Sequence, residues 1–217
     1  MERYILFDKI NTFVDWRLIL TSLDVTPPEP KTNYVELDGM SGSLDLSEAL
    51  TGEITYKDRT VSATFWTSEG NHKERERLMS KIIATLHGRK FKIVEPDDPD
   101  HYFYGRVKIK SQSNNLAYLE FSIEATCEPW RYALEDTTRI IDVNNQTVTA
   151  VINNNGVKTL CPTITVIGSA ELTQEDVIVS LGEGIYRISD IKLRQGVNVI
   201  GISGTGSVIF SYKEATL

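Results

Sequence analysis

Apolar residues recur at helical spacing over one stretch only, from Asn71 to His87; elsewhere, where a pattern exists, they alternate with polar ones. A period near 3.6 lines side chains along one stripe of a helix, whereas a period of two puts them on one face of a strand. A chain with that imbalance is confined to folds whose core is made by sheets and partly covered by a helix. In the helical stretch Leu78, Met79, Ile82, Ile83, Ala84 and Leu86 gather on one side, and Lys73, Glu74, Arg75, Glu76, Arg77 and Lys81 cover the other. Asn71, with Glu74 three residues on, has the form of an N-cap, and Gly88 that of a stop just past the C-terminus.

The alternating runs place Val61, Ala63, Phe65 and Thr67 on one face, then Phe103, Gly105, Val107 and Ile109, then Leu119, Phe121, Ile123 and Ala125. Ser111-Gln-Ser-Asn-Asn115 supplies turn chemistry between the last two runs. These strands and the helix at 71–87 predict an N-terminal antiparallel β-sandwich with one packed α-helix, over residues 1–135. Pro129 cannot donate to a ladder and is expected to close the last strand, with a boundary in 128–142. Beyond it, short strand-like runs at Thr163–Ile167, Val177–Leu181, Ile185–Ile188, Val197–Ile202 and Val208–Tyr212 predict a smaller all-β sandwich over 142–217. Gly182-Glu-Gly, Gln195-Gly and Gly204-Thr-Gly are the expected turns between them. The fold class is therefore mainly β.

Residues 38–59 have a different character. Gly39, Gly42 and Gly52 interrupt Asp38-Gly-Met-Ser-Gly-Ser-Leu-Asp-Leu-Ser-Glu-Ala-Leu-Thr-Gly52 where the backbone needs a positive φ or a close approach. Short apolar side chains alternate with polar ones between them, as in a thin extended arm. An isolated hairpin is marginal in water, so such an arm is expected to lie against something else. Candidate contact residues are Gly39, Gly42, Asp45, Glu48, Gly52, Tyr56 and Arg59, with Arg59 able to pair with Asp45 or Glu48 of a neighbouring copy.

No positive sign of catalysis is present. Glu95-Pro-Asp-Asp-Pro-Asp100-His101 could hold calcium or work as acid and base, but it lacks EF-hand spacing, carries two prolines and reads as a solvated acidic turn. Cys127 and Cys161 lack the partner spacing of a zinc site and read as reduced, partly buried side chains. His72, His87 and His101 accompany no nucleophile motif, and Gly204-Thr-Gly-Ser lacks the lysine and following helix of a phosphate loop. Trp16, Trp66, Trp130, Tyr102, Tyr104 and Tyr132 could form a sugar platform, but their in-strand positions favour packing. No cofactor and no metal is expected. The formal net charge of −7 argues against a sequence-independent nucleic-acid binder, which needs a dense basic surface. Without an apolar run of some twenty residues or a secretory signal, the product is expected to accumulate in the cytoplasm where it is made, with no membrane partner.

A series of short segments, in order, resembles the distal tail proteins (Dit) of long-tailed, siphovirus-type bacteriophages. It runs from Trp16-Arg-Leu-Ile-Leu20 through Pro27-Pro-Glu-Pro-Lys31, Val35-Glu-Leu-Asp-Gly39, Gly42-Ser-Leu-Asp-Leu-Ser-Glu48 and Tyr56-Lys-Asp-Arg59. After the helix follow Leu86-His-Gly-Arg89, Glu95-Pro-Asp-Asp-Pro99, Tyr104-Gly-Arg106 and Cys127-Glu-Pro-Trp130. Many relatives carry Pro-Gly where this chain has Asp38-Gly39, and Thr-Glu where it has Ser47-Glu48; the C-terminal part is where the family varies most. The resemblance implies a non-enzymatic hub of a tail tip or baseplate: a homo-hexameric ring that joins the tail tube protein to the tail-associated baseplate or tail-fibre protein. It further implies a galectin-like C-terminal sandwich that projects outward and could carry a receptor-binding protein. Localisation would be the virion's tail tip, after assembly in the bacterial host cytoplasm. A head-to-tail contact closes into a ring when its rotation divides the circle, and the arm is a suitable device for it.

Two readings from other classes compete. A carbohydrate-binding host-adhesion module would grip a glycan through aromatics in 143–217, and a peptidoglycan-processing enzyme would need a nucleophile–base pair or metal centre that the sequence lacks. A component of a phage-tail-like bacteriocin fits the same ring physics.

Overall fold

The computed structural model describes residues 3–217, so Met1 and Glu2, at the start of the expected domain 1–135, lie outside it. The chain is mainly β, with curled antiparallel sheets, and divides into two compact units, one up to Arg131 and one from Tyr132 to Thr216.

In the first unit β1 (Leu6–Phe7) and β2 (Ile10–Asn11) lead into a short helix α1 (Thr12–Trp16). Then come β3 (Ile19–Val25), β4 (Tyr34–Glu36), β5 (Ser43–Asp45), β6 (Arg59–Thr67), α2 (His72–Leu86), β7 (Lys90–Glu95), β8 (Asp98–Asn114) and β9 (Leu119–Ala133). The sheet order is β2-β1-β7-β8-β9-β6-β3, with β4 and β5 outside it as a separate pair. Phe7 of β1, next to one end of that order, and Leu20 of β3, at the other end, share one buried cluster with Phe65, Phe103, Phe121 and Ile123, so the sheet curls around a single core. Each of these fully buried side chains contributes roughly 1.5–3 kcal/mol of transfer free energy. The alternation expected for β6, β8 and β9 is realised: Val61, Ala63, Phe65, Val107, Leu119, Phe121, Ile123 and Ala125 are all buried.

Helix α2 starts at a complete capping box: the Asn71 side chain accepts from Glu74 N–H, and the Glu74 side chain accepts from Asn71 N–H. Gly88 takes φ +77°, and its N–H donates to Val107 O, tying the helix exit to β8. Met79, Ile82 and Leu86 face the core. Arg75, expected on the solvent side, is 2% exposed. Its position one turn before Met79 places it on the buried stripe. There its guanidinium donates to the carbonyls of Gly70, Asn115 and Leu116 and to Asn114 Oδ1.

Three further expectations change. Helix α1 was not expected; Asn11 caps it by accepting from Phe13 and Val14 N–H, and Arg17 ends it in the left-handed region at φ 53°. Pro129 does not end its strand: the β6–β9 register ends at Arg59↔Cys127, so the N–H that Pro129 lacks breaks no bond to β6. Gly204-Thr-Gly206 is no turn but lies within a long strand of the second unit.

That unit contains β10 (Thr137–Asn144), β11 (Val148–Asn154), β12 (Thr163–Gln174), β13 (Val177–Leu181), β14 (Gly184–Arg187) and β15 (Gly196–Tyr212). β15 pairs with β12 along most of its length, and on its other side with β11 over its first half and β10 over its second. β12 likewise takes β14 and then β13. The change of partner falls at Gly168, Gly204 and Gly206, all with positive φ. A Cβ at Gly206 would stand 1.9 Å from Ile167 O, and one at Gly204 2.1 Å from Ser169 O. Glycine there lets two long strands bend together, so that both halves of the sheet share one core including Ile152, Leu172, Ile202, Val208 and Phe210.

Candidate functional site

The arm grows out of the β3–β6 ladder. Thr26 N–H donates to Thr60 O (3.0 Å), Lys57 N–H to Glu29 O (2.8 Å) and Lys31 N–H to Thr55 O (2.7 Å). Pro30 and Tyr56 form an antiparallel bridge. Further out, β4 and β5 pair in the register Tyr34↔Asp45, Val35↔Leu44, Glu36↔Ser43. Gly39 and Gly42, both at φ 84°, and Gly52 at φ 68°, adopt the left-handed region that their sequence positions anticipated. An added Cβ at any of the three would meet nothing within 4 Å, so the requirement is conformational and not steric.

Nearly every side chain of the arm is exposed. Tyr34, Leu37, Met40, Leu44 and Ile54 are large, apolar and at least two-fifths accessible, and Leu50 is 99% exposed. Leu50 rides on a tight turn in which Ala49 N–H donates to Leu46 O and Gly52 N–H to Glu48 O. None of these apolar residues is among the candidates that the sequence offers, which are Gly39, Gly42, Asp45, Glu48, Gly52, Tyr56 and Arg59. Their signal was present, because a segment too thin to bury its own Leu and Ile leaves them outside.

The seven candidate residues separate into three settings. Gly39, Gly42, Asp45, Glu48 and Gly52 lie on the arm. Asp45 is engaged locally: its Oδ1 accepts from Ser47 N–H (2.9 Å) and Ser47 O–H, and these bonds hold its carboxyl below the usual value. Tyr56 stands at the base, edge-on to Trp130 with centroids 5.6 Å apart. Arg59 is buried within the first unit, 4% exposed, and no carboxylate pairs with it among the described residues. Its guanidinium lies 5.2 Å from the centre of the Phe103 ring, and that of Arg131 lies 5.1 Å from the same ring. Burial, then the Arg131 charge, lowers the Arg59 pKa.

Arg131, unnoticed in the sequence, organises the acidic segment 95–101. Its Nη2 lies 3.3 Å from Glu95 Oε1 and its Nη1 2.9 Å from Asp98 Oδ2, while Asp98 Oδ1 is 2.8 Å from His101 Nδ1. Burial raises the Glu95 pKa against the pull of Arg131. For Asp98, burial is outweighed by the His101 hydrogen bond and by the charges of His101 and Arg131, and its carboxyl sits below the usual range. The segment is thus only partly a solvated turn: Asp97 is exposed and pairs with Arg3, whereas Glu95 and Asp98 are half-buried and paired with Arg131. Among the described residues no group of three or more His, Cys, Asp or Glu is arranged to hold a metal ion. Burial pushes the Cys127 thiol up to about 12, the value of an inert core side chain. The aromatics are dispersed: Trp16 is buried, Trp66 lies against Tyr118 and Trp130 against Tyr56. No helix among the described residues is long and apolar enough to cross a membrane.

No protein-family model matches the chain, and no curated protein matches it in sequence. Its fold is similar to a solved structure, the SPP1 Dit (gp 19.1) protein, described as a paradigm of the hub adsorption apparatus in phages that infect Gram-positive bacteria. The TM-score is 0.74 at 14% identity, over 98% of this chain and 99% of that one.

Proposed function

We propose that this chain is a structural, non-enzymatic hub subunit of a phage tail tip, closing into a hexameric ring between the tail tube and the tail-associated baseplate protein. The observation that carries the reading is the likeness in fold to an adsorption-apparatus hub over almost the whole of both chains. The exposed apolar arm supports it, since a subunit that reaches its neighbours needs such a surface. The first unit, with its arm, builds the ring, and the second is a sandwich available to other tail proteins. Residence in the virion, after assembly in the host cytoplasm, follows from that role.

The test is the particle the purified protein forms, alone and with tail-tube ends, by light scattering and negative-stain images. Closed six-fold rings that cap tubes are expected. A compact dimer that persists at high concentration and never caps a tube would sink the proposal.

A further inference from the structure

The outward face of the first unit holds a groove of about 500 Å³ whose two sides differ in charge. Lys90 of β7 and Tyr104, Arg106 and Lys108 of β8 form one side, with the Lys90 ammonium 5.3 Å from the centre of the Tyr104 ring. Asp58 and Glu128 stand on the β6–β9 side. Arg106 is anchored by a bond from its guanidinium to Gly88 O, while Lys108 is exposed. The arm is the electrostatic complement of the basic side. Between residues 32 and 55 it carries Glu36, Asp38, Asp45, Glu48 and Glu53 and neither lysine nor arginine. The one nearly fully exposed leucine in that stretch, Leu50, follows Glu48 by two residues.

We infer that the arm of one subunit docks into this groove on a neighbouring copy, Leu50 entering over Tyr104 and the arm's carboxylates meeting Lys90, Arg106 and Lys108. On the ring reading the contact is head-to-tail: each subunit gives its arm to one neighbour and receives the arm of the other, whereas a pair that exchanged arms reciprocally would stop at a dimer. A concavity of this volume admits a few side chains, and the opposed charges set its register and make it sensitive to salt. The inference rests on the ring reading above and specifies which surfaces meet.

The experiment reverses charge on each side separately and then on both. Lys90→Glu with Lys108→Glu, and Asp38→Lys with Glu48→Lys, should each raise the subunit concentration needed for assembly by about tenfold or more, with melting temperature unchanged. The chain carrying all four substitutions should assemble again. A second route does not depend on those variants folding. In a Cys161→Ser background, Leu50→Cys with Lys108→Cys should give a ladder of disulfide-linked subunits on mild oxidation of assembled protein. Rings that form normally with either side reversed, or that give no cross-links between copies, overturn the docking while leaving the ring intact. Reversals that spare rings but abolish tube capping also overturn it, because the groove would then face another protein. A wild-type chain that never assembles overturns both readings.

Discussion

Arg75 shows how much one side chain can be asked to hold. Its guanidinium satisfies three backbone carbonyls at the helix N-terminus and the β8–β9 turn, and charged hydrogen bonds of this kind contribute more than neutral ones. Arg75→Met should cost about 2–3 kcal/mol in urea unfolding, because the carbonyls lose their partner while the methylene packing is kept. Asp98 supplies a residue-scale test with a sign. Its folded pKa lies below the ordinary 3.8, so its contribution is complete above that value and is lost as pH falls through the folded one. Glu95 acts in the opposite sense: its pKa is raised above 4.5, so folding favours its protonated form. In Asp98→Asn only the Glu95 contribution of that pair remains. The loss of stability toward acid should therefore flatten, as measured by urea midpoints from neutral pH down to about pH 2.

Among the elements, α2 and the bent pair β12–β15 carry the clearest expectations. Asn71→Ala removes half of the capping box and should cost about 1 kcal/mol, whereas Ile82→Asp buries a carboxylate without a partner and should cost several. Thermal unfolding separates the two, and an unchanged melting temperature for Ile82→Asp would mean that the apolar stripe does not face the core. Gly206→Ala combines φ 102° with a Cβ only 1.9 Å from Ile167 O. Backbone strain at such a position is of order 1–3 kcal/mol before the clash is counted. Calorimetry should find this loss in the transition of the second unit and the Ile82→Asp loss in that of the first.

For the whole molecule the question is what the arm is for. Its side chains add little to the core cluster of the first unit. Replacing residues 38–55 by a short Gly/Ser linker should therefore leave a folded, soluble subunit with a melting temperature close to the parent's. On the ring reading that subunit no longer closes rings. If it still forms rings of the original size, the arm is a surface loop; if it cannot fold, the segment belongs to the core. Light scattering beside circular dichroism distinguishes the three outcomes.

The features legible in the sequence are those with local causes. The inward faces of β6, β8 and β9, the capped start of α2 and the left-handed glycines of the arm each follow from a period or from one residue's conformational range. So does the thinness of the arm, from which its exposure follows. What the tertiary structure alone decided depends on distant neighbours. Arg75 reads as a surface charge until β8 and β9 bring carbonyls to it. Glu95 and Asp98 read as a solvated turn until Arg131 arrives more than thirty residues later in the chain. Gly204-Thr-Gly206 has the composition of a turn, and only the approach of the β12 backbone makes it the bend of a continuous strand. Composition cannot separate these cases, because a buried charge and a glycine bend are defined by which atoms approach them, and that is a property of the packed chain.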